Sequence, residues 1–220
     1  MYFFVFTAFV VLGCSFGETK DQKCFPKGIE HLLLHPPNAW KLLDELKDTF
    51  FLVYYSKDLD VSNTFPCLAV RKSTLNKESK SGRCVYKYAS NTSVTLTGTK
   101  EVKTKRKDGA YKHPNMFSVQ YHEGDKYIWH DIELLYTDYI YCAVLKSNFF
   151  GIQVWVSKTH LEKVREIPWI CSLVYDLATD KPRRVLYDWK ECPLRIKKSP
   201  SSNESCCFRC LPPCWFYSRY

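Results

Sequence analysis

From residue 49 onward the chain alternates short β-branched and aromatic runs with clusters of polar turn residues. Runs at 50–56, 66–72, 83–90, 93–105, 115–122, 126–136, 139–146 and 151–158 read as eight strands. The segments between them, at 58–63, 76–82, Asp108-Gly109, 123–125 and 147–148, carry polar turn chemistry at fairly even spacing. Successive strands with no helix between them indicate an antiparallel barrel or sandwich. Helical periodicity flanks this block on both sides. Trp40, Leu43, Leu46 and Lys47 sit at helical spacing within 37–47, after a proline start. Ile167, Ile170, Cys171, Val174, Tyr175 and Leu177 recur at three and four after Pro168, and this second helix is expected to pack outside the sheet. Residues 185–192 read as a short extended return, 197–205 as a Lys/Ser/Pro linker and 206–220 as a cysteine-dense tail.

The first residues differ in kind. An apolar run at 2–12, small residues at Gly13, Ser15 and Gly17, and a polar stretch after them read as a secretory signal peptide ending at Gly17. The run is shorter than the roughly 20 residues a membrane span needs. Three units follow: a signal at 1–17, a barrel domain at 18–196, and the linker and tail at 197–220. The expectation is a secreted, extracellular monomer with no membrane span. Composition agrees with that compartment. The chain has 220 residues, 25% charged and 45% hydrophobic, with 11 cysteines and 16% aromatics. These proportions are globular, and the cysteine count points to an oxidising environment. Cys14 leaves with the signal, so an even number remains. The net charge of +9 favours anionic partners. Its densest segment, Lys100, Lys103, Lys105, Arg106, Lys107 and Lys112, surrounds the Asp108-Gly109 turn and reads as a solvated hairpin tip rather than a nucleic-acid site.

Catalytic signatures are missing. The sequence has no Gly-x-Ser-x-Gly elbow, no phosphate-binding glycine loop and no His-Glu-x-x-His helix, so neither an enzyme nor a cofactor is expected. His31 and His35 lack a third ligand, and the tail cysteines Cys206, Cys207, Cys210 and Cys214 fit disulfides better than zinc outside the cell. Asn91 and Asn203 begin glycosylation sequons.

One helix, eight antiparallel strands and a trailing helix resemble the plan of a lipocalin, a closed all-β barrel able to hold one small ligand. Asn38-Ala39-Trp40-Lys41, Phe51-Leu52-Val53-Tyr54-Tyr55, Cys67, Cys142-Ala143-Val144, Gln153-Val154-Trp155, Cys171 and Leu186-Tyr187 running into Cys192 are similar to the tick salivary lipocalins, the histamine-binding protein family. The likeness covers 38–192. It implies disulfides Cys142 to Cys171 and Cys67 to Cys192, leaving the pairing of Cys24, Cys84 and the four tail cysteines open. It also implies sequestration of small host mediators, amines such as histamine or eicosanoids and fatty acids, in evasion of host defence. A buried ammonium requires a carboxylate partner. Amine-binding members carry acids where this sequence has Ala143 and Gln153, and only Trp155 of that motif is kept.

The sequence offers other acids. Alternation along 126–136 puts Tyr127, Trp129, Asp131, Glu133 and Leu135 on one face and Ile128, His130, Ile132 and Leu134 on the other. If the first face turns inward, Asp131 or Glu133 pairs with an amine; if the second does, the acids are solvated. Asp58 and Asp60 stand at the end of the first strand, by the mouth. Tyr55, Phe117, Tyr121, Tyr127, Trp129 and Trp155 complete the candidate lining, with Gln153 as a hydrogen-bonding member and Trp40 as a plug at the base. The competing expectation is a protein-binding inhibitor of a host protease or complement component, acting through the outer surface or through Trp215, Phe216 and Tyr217 of the tail.

Overall fold

The computed structural model describes residues 37–58, 64–90, 94–123 and 126–197. The signal segment, Cys24, His31, His35, Asp60, both sequon asparagines and the tail lie outside them.

Helix α1 (Ala39–Glu45) opens on Asn38, whose side chain accepts a hydrogen bond from the Lys41 N–H and caps the first turn. It buries Ala39, Leu42 and Leu43 against the base of a sheet. Tyr139, in the turn before the seventh strand, holds the helix start: its hydroxyl accepts from the Asn38 N–H at 3.0 Å and the Lys41 ammonium lies 4.2 Å from its ring centre. Eight strands follow: β1 (Phe50–Tyr55), β2 (Ala69–Asn76), β3 (Ser81–Ala89), β4 (Thr95–Lys105), β5 (Met116–Glu123), β6 (Lys126–Thr137), β7 (Cys142–Ser147) and β8 (Gly151–Ser157). Each pairs antiparallel with its sequence neighbour, and β1 also pairs with β8, so the sheet closes on itself as a barrel. Closure removes the exposed edges that a sheet of this size would otherwise present.

Both faces of β1 are buried, which is why it reads as an unbroken apolar run instead of an alternating one. Phe50, Leu52 and Tyr55 face the lumen, while Phe51, Val53 and Tyr54 join an outer core with Val144, Val154 and Val156. A register shift between Leu52 and Tyr54 inverts the alternation there. Over this outer layer lies the expected helix, α3 (Trp169–Ala178), packed through Cys171, Val174 and Tyr175. Tyr54 and Tyr175 meet edge to face at 4.8 Å, and the Tyr54 hydroxyl reaches Ser172 Oγ at 2.9 Å. The Cys142–Cys171 disulfide ties helix to barrel, and Cys67–Cys192 ties the returning chain to the start of β2. These are the pairings implied by the family likeness.

Several boundaries differ from the sequence expectation. The second strand starts later, because Cys67 adopts a φ of 56° and sits in the turn ahead of β2. The extended return shrinks to β9 (Arg184–Val185), which pairs with the end of β1. Beyond it comes an unexpected helix, α4 (Glu191–Lys197), started by Asp188, whose carboxylate accepts from the N–H groups of Lys190 and Glu191. Its proline at position 193 and short length hid the period. A further short helix, α2 (Lys158–Lys163), is capped by Ser157, whose Oγ accepts from the His160 N–H. The Asp108-Gly109 signal marks a ten-residue connection between β4 and β5, not a tight hairpin.

Burial pushes the phenols of Tyr175 and Tyr187 up to about 12, from an ordinary value of 10.0. The folded state therefore prefers both neutral. Their contribution to stability is fully present below pH 10.0 and is lost as pH rises toward about 12. Denaturant titrations across this range are expected to show unfolding free energy falling as tyrosinate absorbance grows.

Candidate functional site

The interior of the barrel is built by alternate residues of each strand, and two apolar clusters meet in it. The lower one contains Val102, Phe117, Val119, Leu134 and Ala143 above α1; the upper one contains Leu52, Tyr55, Leu68, Tyr88 and Trp155. Leu46 and Leu145 touch both, so the interior is continuous from base to mouth. Of the residues proposed from sequence, Tyr55, Phe117, Tyr121, Gln153 and Trp155 belong to this interior.

Gln153 is 1% exposed and hydrogen-bonded at both ends of its amide. Its carbonyl oxygen accepts from the Trp155 indole N–H at 2.9 Å, and its amide donates to Ser147 Oγ at 2.7 Å. The bond fixes the indole plane against the wall. Ala143, the register partner of Trp155, is buried in the lower cluster.

The charged feature of the interior is Lys100. It follows the inward row of β4, where Leu96, Gly98, Lys100 and Val102 are less exposed than Thr97, Thr99, Glu101 and Lys103 between them. Its ammonium lies 4.6 Å from the Tyr121 ring centre and 6.0 Å from that of Tyr86. No carboxylate among the described residues pairs with it, and burial holds its ammonium pKa below the ordinary value of 10.5. Burial also keeps both phenols neutral, pushing Tyr121 up to about 12 and raising Tyr86. The other inward lysine, Lys72, is bound to the Asp44 carbonyl oxygen. Cys84, a free cysteine on the inward row of β3, has its thiol pushed up to about 11 by burial, against the opposing pull of Lys72, and is protonated at neutral pH.

Tyr86 lies where it does because its register partner is Gly98. A Cβ there would stand 2.2 Å from the Tyr86 hydroxyl oxygen and 2.3 Å from Cζ. Gly98→Val is therefore expected to unseat the ring, lowering stability by about 1–3 kcal/mol as overpacked sites do. Thermal melts and the near-ultraviolet circular dichroism of the tyrosines would register the change.

The pleat of β6 decides between the two faces left open by its sequence. Ile132 and Leu134 join the lower interior cluster and His130 packs edge-on to Tyr121. Tyr127, Trp129, Asp131 and Glu133 accordingly lie on the outer face and do not line the lumen, which corrects the candidate lining. Tyr127 is 64% exposed and Trp129 36%. Both acids are committed to lysines of β4 and the loop beyond it: Asp131 to Lys105 at 2.7 Å and Glu133 to Lys107 at 2.6 Å. Partial burial alone would raise the Asp131 carboxyl; hydrogen bonds from Lys105 and Ser118 overcome it and hold the group below its ordinary range. Lys103 covers the Trp129 ring at 4.4 Å. Asp58 is likewise engaged on the surface, with Arg184 at 3.3 Å and Lys181 at 3.9 Å.

The mouth holds rings that the strand pattern did not point to, because they sit in connections. Phe65, ahead of β2, meets Tyr88 at 5.1 Å; Phe150 meets Tyr55 at 6.1 Å; and Phe149 stacks on Tyr121 at 5.3 Å and contacts His130 at 5.0 Å.

A family model described as tick histamine binding protein matches residues 32–193. The chain belongs to that family. No curated protein matches the chain. Among solved structures, the serotonin complex of AM182 is similar at 15% identity and a TM-score of 0.53, over 70% of this chain and 92% of that one. Insecticyanin from the tobacco hornworm Manduca sexta is similar at 16% identity and a TM-score of 0.51, over 68% and 82%. At such identities the likeness is one of fold, the lipocalin barrel.

Ala143 and Gln153 are the two positions at which the sequence resemblance implies acids in an amine binder. Both are interior here, both neutral, and Gln153 spends its hydrogen bonds on the protein itself. Among the described residues the only charges on the inward rows of β2 and β4 are the cations Lys72 and Lys100.

Proposed function

We propose that this barrel sequesters an apolar small molecule that carries an acid group, of the fatty-acid or eicosanoid kind. The observation behind the reading is Lys100, an inward ammonium between two neutral tyrosines with no carboxylate partner among the described residues. A partly buried, unpaired cation is costly, and a ligand carboxylate relieves that cost. The aromatic rows above and below it suit a hydrocarbon chain. The same features disfavour histamine and serotonin, since a second ammonium beside Lys100 meets repulsion and finds no acid to neutralise it. The net charge of +9 adds long-range attraction for an anion. In this reading the protein binds without catalysis, leaves the cell by its signal at 1–17 and withholds a host mediator from its receptor. Calorimetry with arachidonic acid, a leukotriene, histamine and serotonin tests it. Micromolar or tighter binding of the acids, with far weaker binding of the amines, is expected; the reverse order overturns the reading.

A second reading, the protein-binding inhibitor, has one specific support. Trp169, Leu173 and Leu177 form a stripe at helical spacing on the outer side of α3, and they are 73%, 42% and 37% exposed. Retention of full inhibitory activity by Trp169→Ser together with Leu173→Ser would discard this face.

A further inference from the structure

We propose that Lys100 also captures apolar aldehydes covalently, as an imine, inside the barrel. The inference rests on the reading that the interior admits an apolar ligand, and it concerns what the Lys100 nitrogen does when that ligand ends in an aldehyde instead of an acid. Three observations single this amine out. Two lysines outside the lumen are paired with carboxylates, Lys105 at 2.7 Å from Asp131 and Lys107 at 2.6 Å from Glu133. Lys72, the other inward lysine, is hydrogen-bonded to a backbone carbonyl. Lys100 has neither kind of partner among the described residues and is bordered by the rings of Tyr86 and Tyr121 at 6.0 and 4.6 Å.

Removing an ammonium from water without giving it an anion favours the neutral amine, and the neutral amine is the nucleophile. The direction of the Lys100 shift agrees, with burial as its cause. The step needs no oxidant or reductant. The Nζ lone pair forms the new C–N bond to the aldehyde carbon while the carbonyl π pair moves to oxygen. Proton transfer from nitrogen to oxygen gives the carbinolamine. Loss of that hydroxyl as water, with the nitrogen lone pair forming the C=N bond and a proton leaving nitrogen, completes the imine, so that amine plus aldehyde equals imine plus water. The hydrocarbon remainder would lie along the same aromatic rows that suit a fatty chain.

An acid and an aldehyde then compete for one nitrogen, and this makes the proposal separable from the reading beneath it. The full secreted protein would be incubated with decanal, reduced with cyanoborohydride to fix any imine, and mapped by peptide mass spectrometry, with and without saturating oleate. The expected result is one decyl group concentrated on the peptide that carries Lys100, lost when oleate is present and lost in Lys100→Arg, whose guanidinium is not a nucleophile at neutral pH. Decyl groups spread evenly over the surface lysines, or an unlabelled Lys100 in protein that still binds oleate, overturn aldehyde capture and leave the fatty-acid reading standing. Failure to bind oleate at all, with an unlabelled Lys100, overturns both.

Discussion

Lys100→Met is expected to weaken binding of a carboxylate ligand by roughly 30-fold or more, the equivalent of about 2–5 kcal/mol for losing one partner of a buried charge pair. Lys100→Glu is expected to do more, since it replaces attraction with repulsion at the same point. Methionine retains the length and apolar stem of lysine and sits beside two rings that sulfur packs against well. Its fold is therefore expected to survive, and an unchanged circular dichroism spectrum would show that the loss lies in recognition. Binding of a neutral analogue, the methyl ester of the same acid, should change little between wild type and Lys100→Met. The pH dependence has a definite sign. Burial lowers the free-state pKa of Lys100 below 10.5, and a bound carboxylate raises it again. Affinity for the acid is thus full below the lowered value and falls as pH rises through it, with proton uptake on binding in that range. Lys100→Met should abolish this dependence. Equal affinities of wild type and Lys100→Met for the acid would remove Lys100 from the site.

Cutting the Cys67–Cys192 bridge is expected to have the largest effect on stability. It spans 125 residues, against 29 for Cys142–Cys171, and the loop-closure entropy removed from the unfolded chain grows with that span. Losses of about 2–5 kcal/mol are usual for native disulfides of secreted domains. The local consequence is also specific. Cys192 lies in α4, whose position against the β3–β4 end depends on this bridge and on the Thr95 hydroxyl donating to the Arg195 carbonyl at 3.0 Å. Because Cys67 has a φ of 56°, Cys67→Gly with Cys192→Ala is the cleaner variant: alanine at position 67 would add backbone strain to the loss of the bond. Urea denaturation should show the midpoint falling further for this variant than for Cys142→Ala with Cys171→Ala. In the latter, α3 still covers the barrel through Val174 and Tyr175.

The barrel itself was legible in the strand runs, because alternation and evenly spaced turn residues are local properties of each segment. Its eight strands were found, with boundaries off by a few residues where tertiary pairing extended or trimmed them, as at β2 and β7. The short helices α2 and α4 were not. Each spans under two turns, too few residues for a period, and each is started by a single capping side chain, Ser157 or Asp188. Half of the site was legible for a similar reason. Tyr55, Phe117, Tyr121, Gln153 and Trp155 lie on β1, β5 and β8, whose apolar and aromatic runs mark them as barrel wall. The phenylalanines at the mouth lie in connections, where no periodicity assigns a direction.

For β6 the alternation of residues says only that two sets face opposite ways, since a strand's alternation has no sign. The sign came from the sheet. Closing the barrel placed Ile132 and Leu134 over α1 and left Asp131 and Glu133 on the outer face across from Lys105 and Lys107, where each charge has a partner. The same closure turned Lys100 inward, out of a run of basic residues that read as a solvated hairpin tip. Sequence thus carried the family and the barrel, and placed neutral residues at Ala143 and Gln153. Tertiary structure decided which charge the lumen holds, because which face of a strand is desolvated depends on what the rest of the chain packs against it.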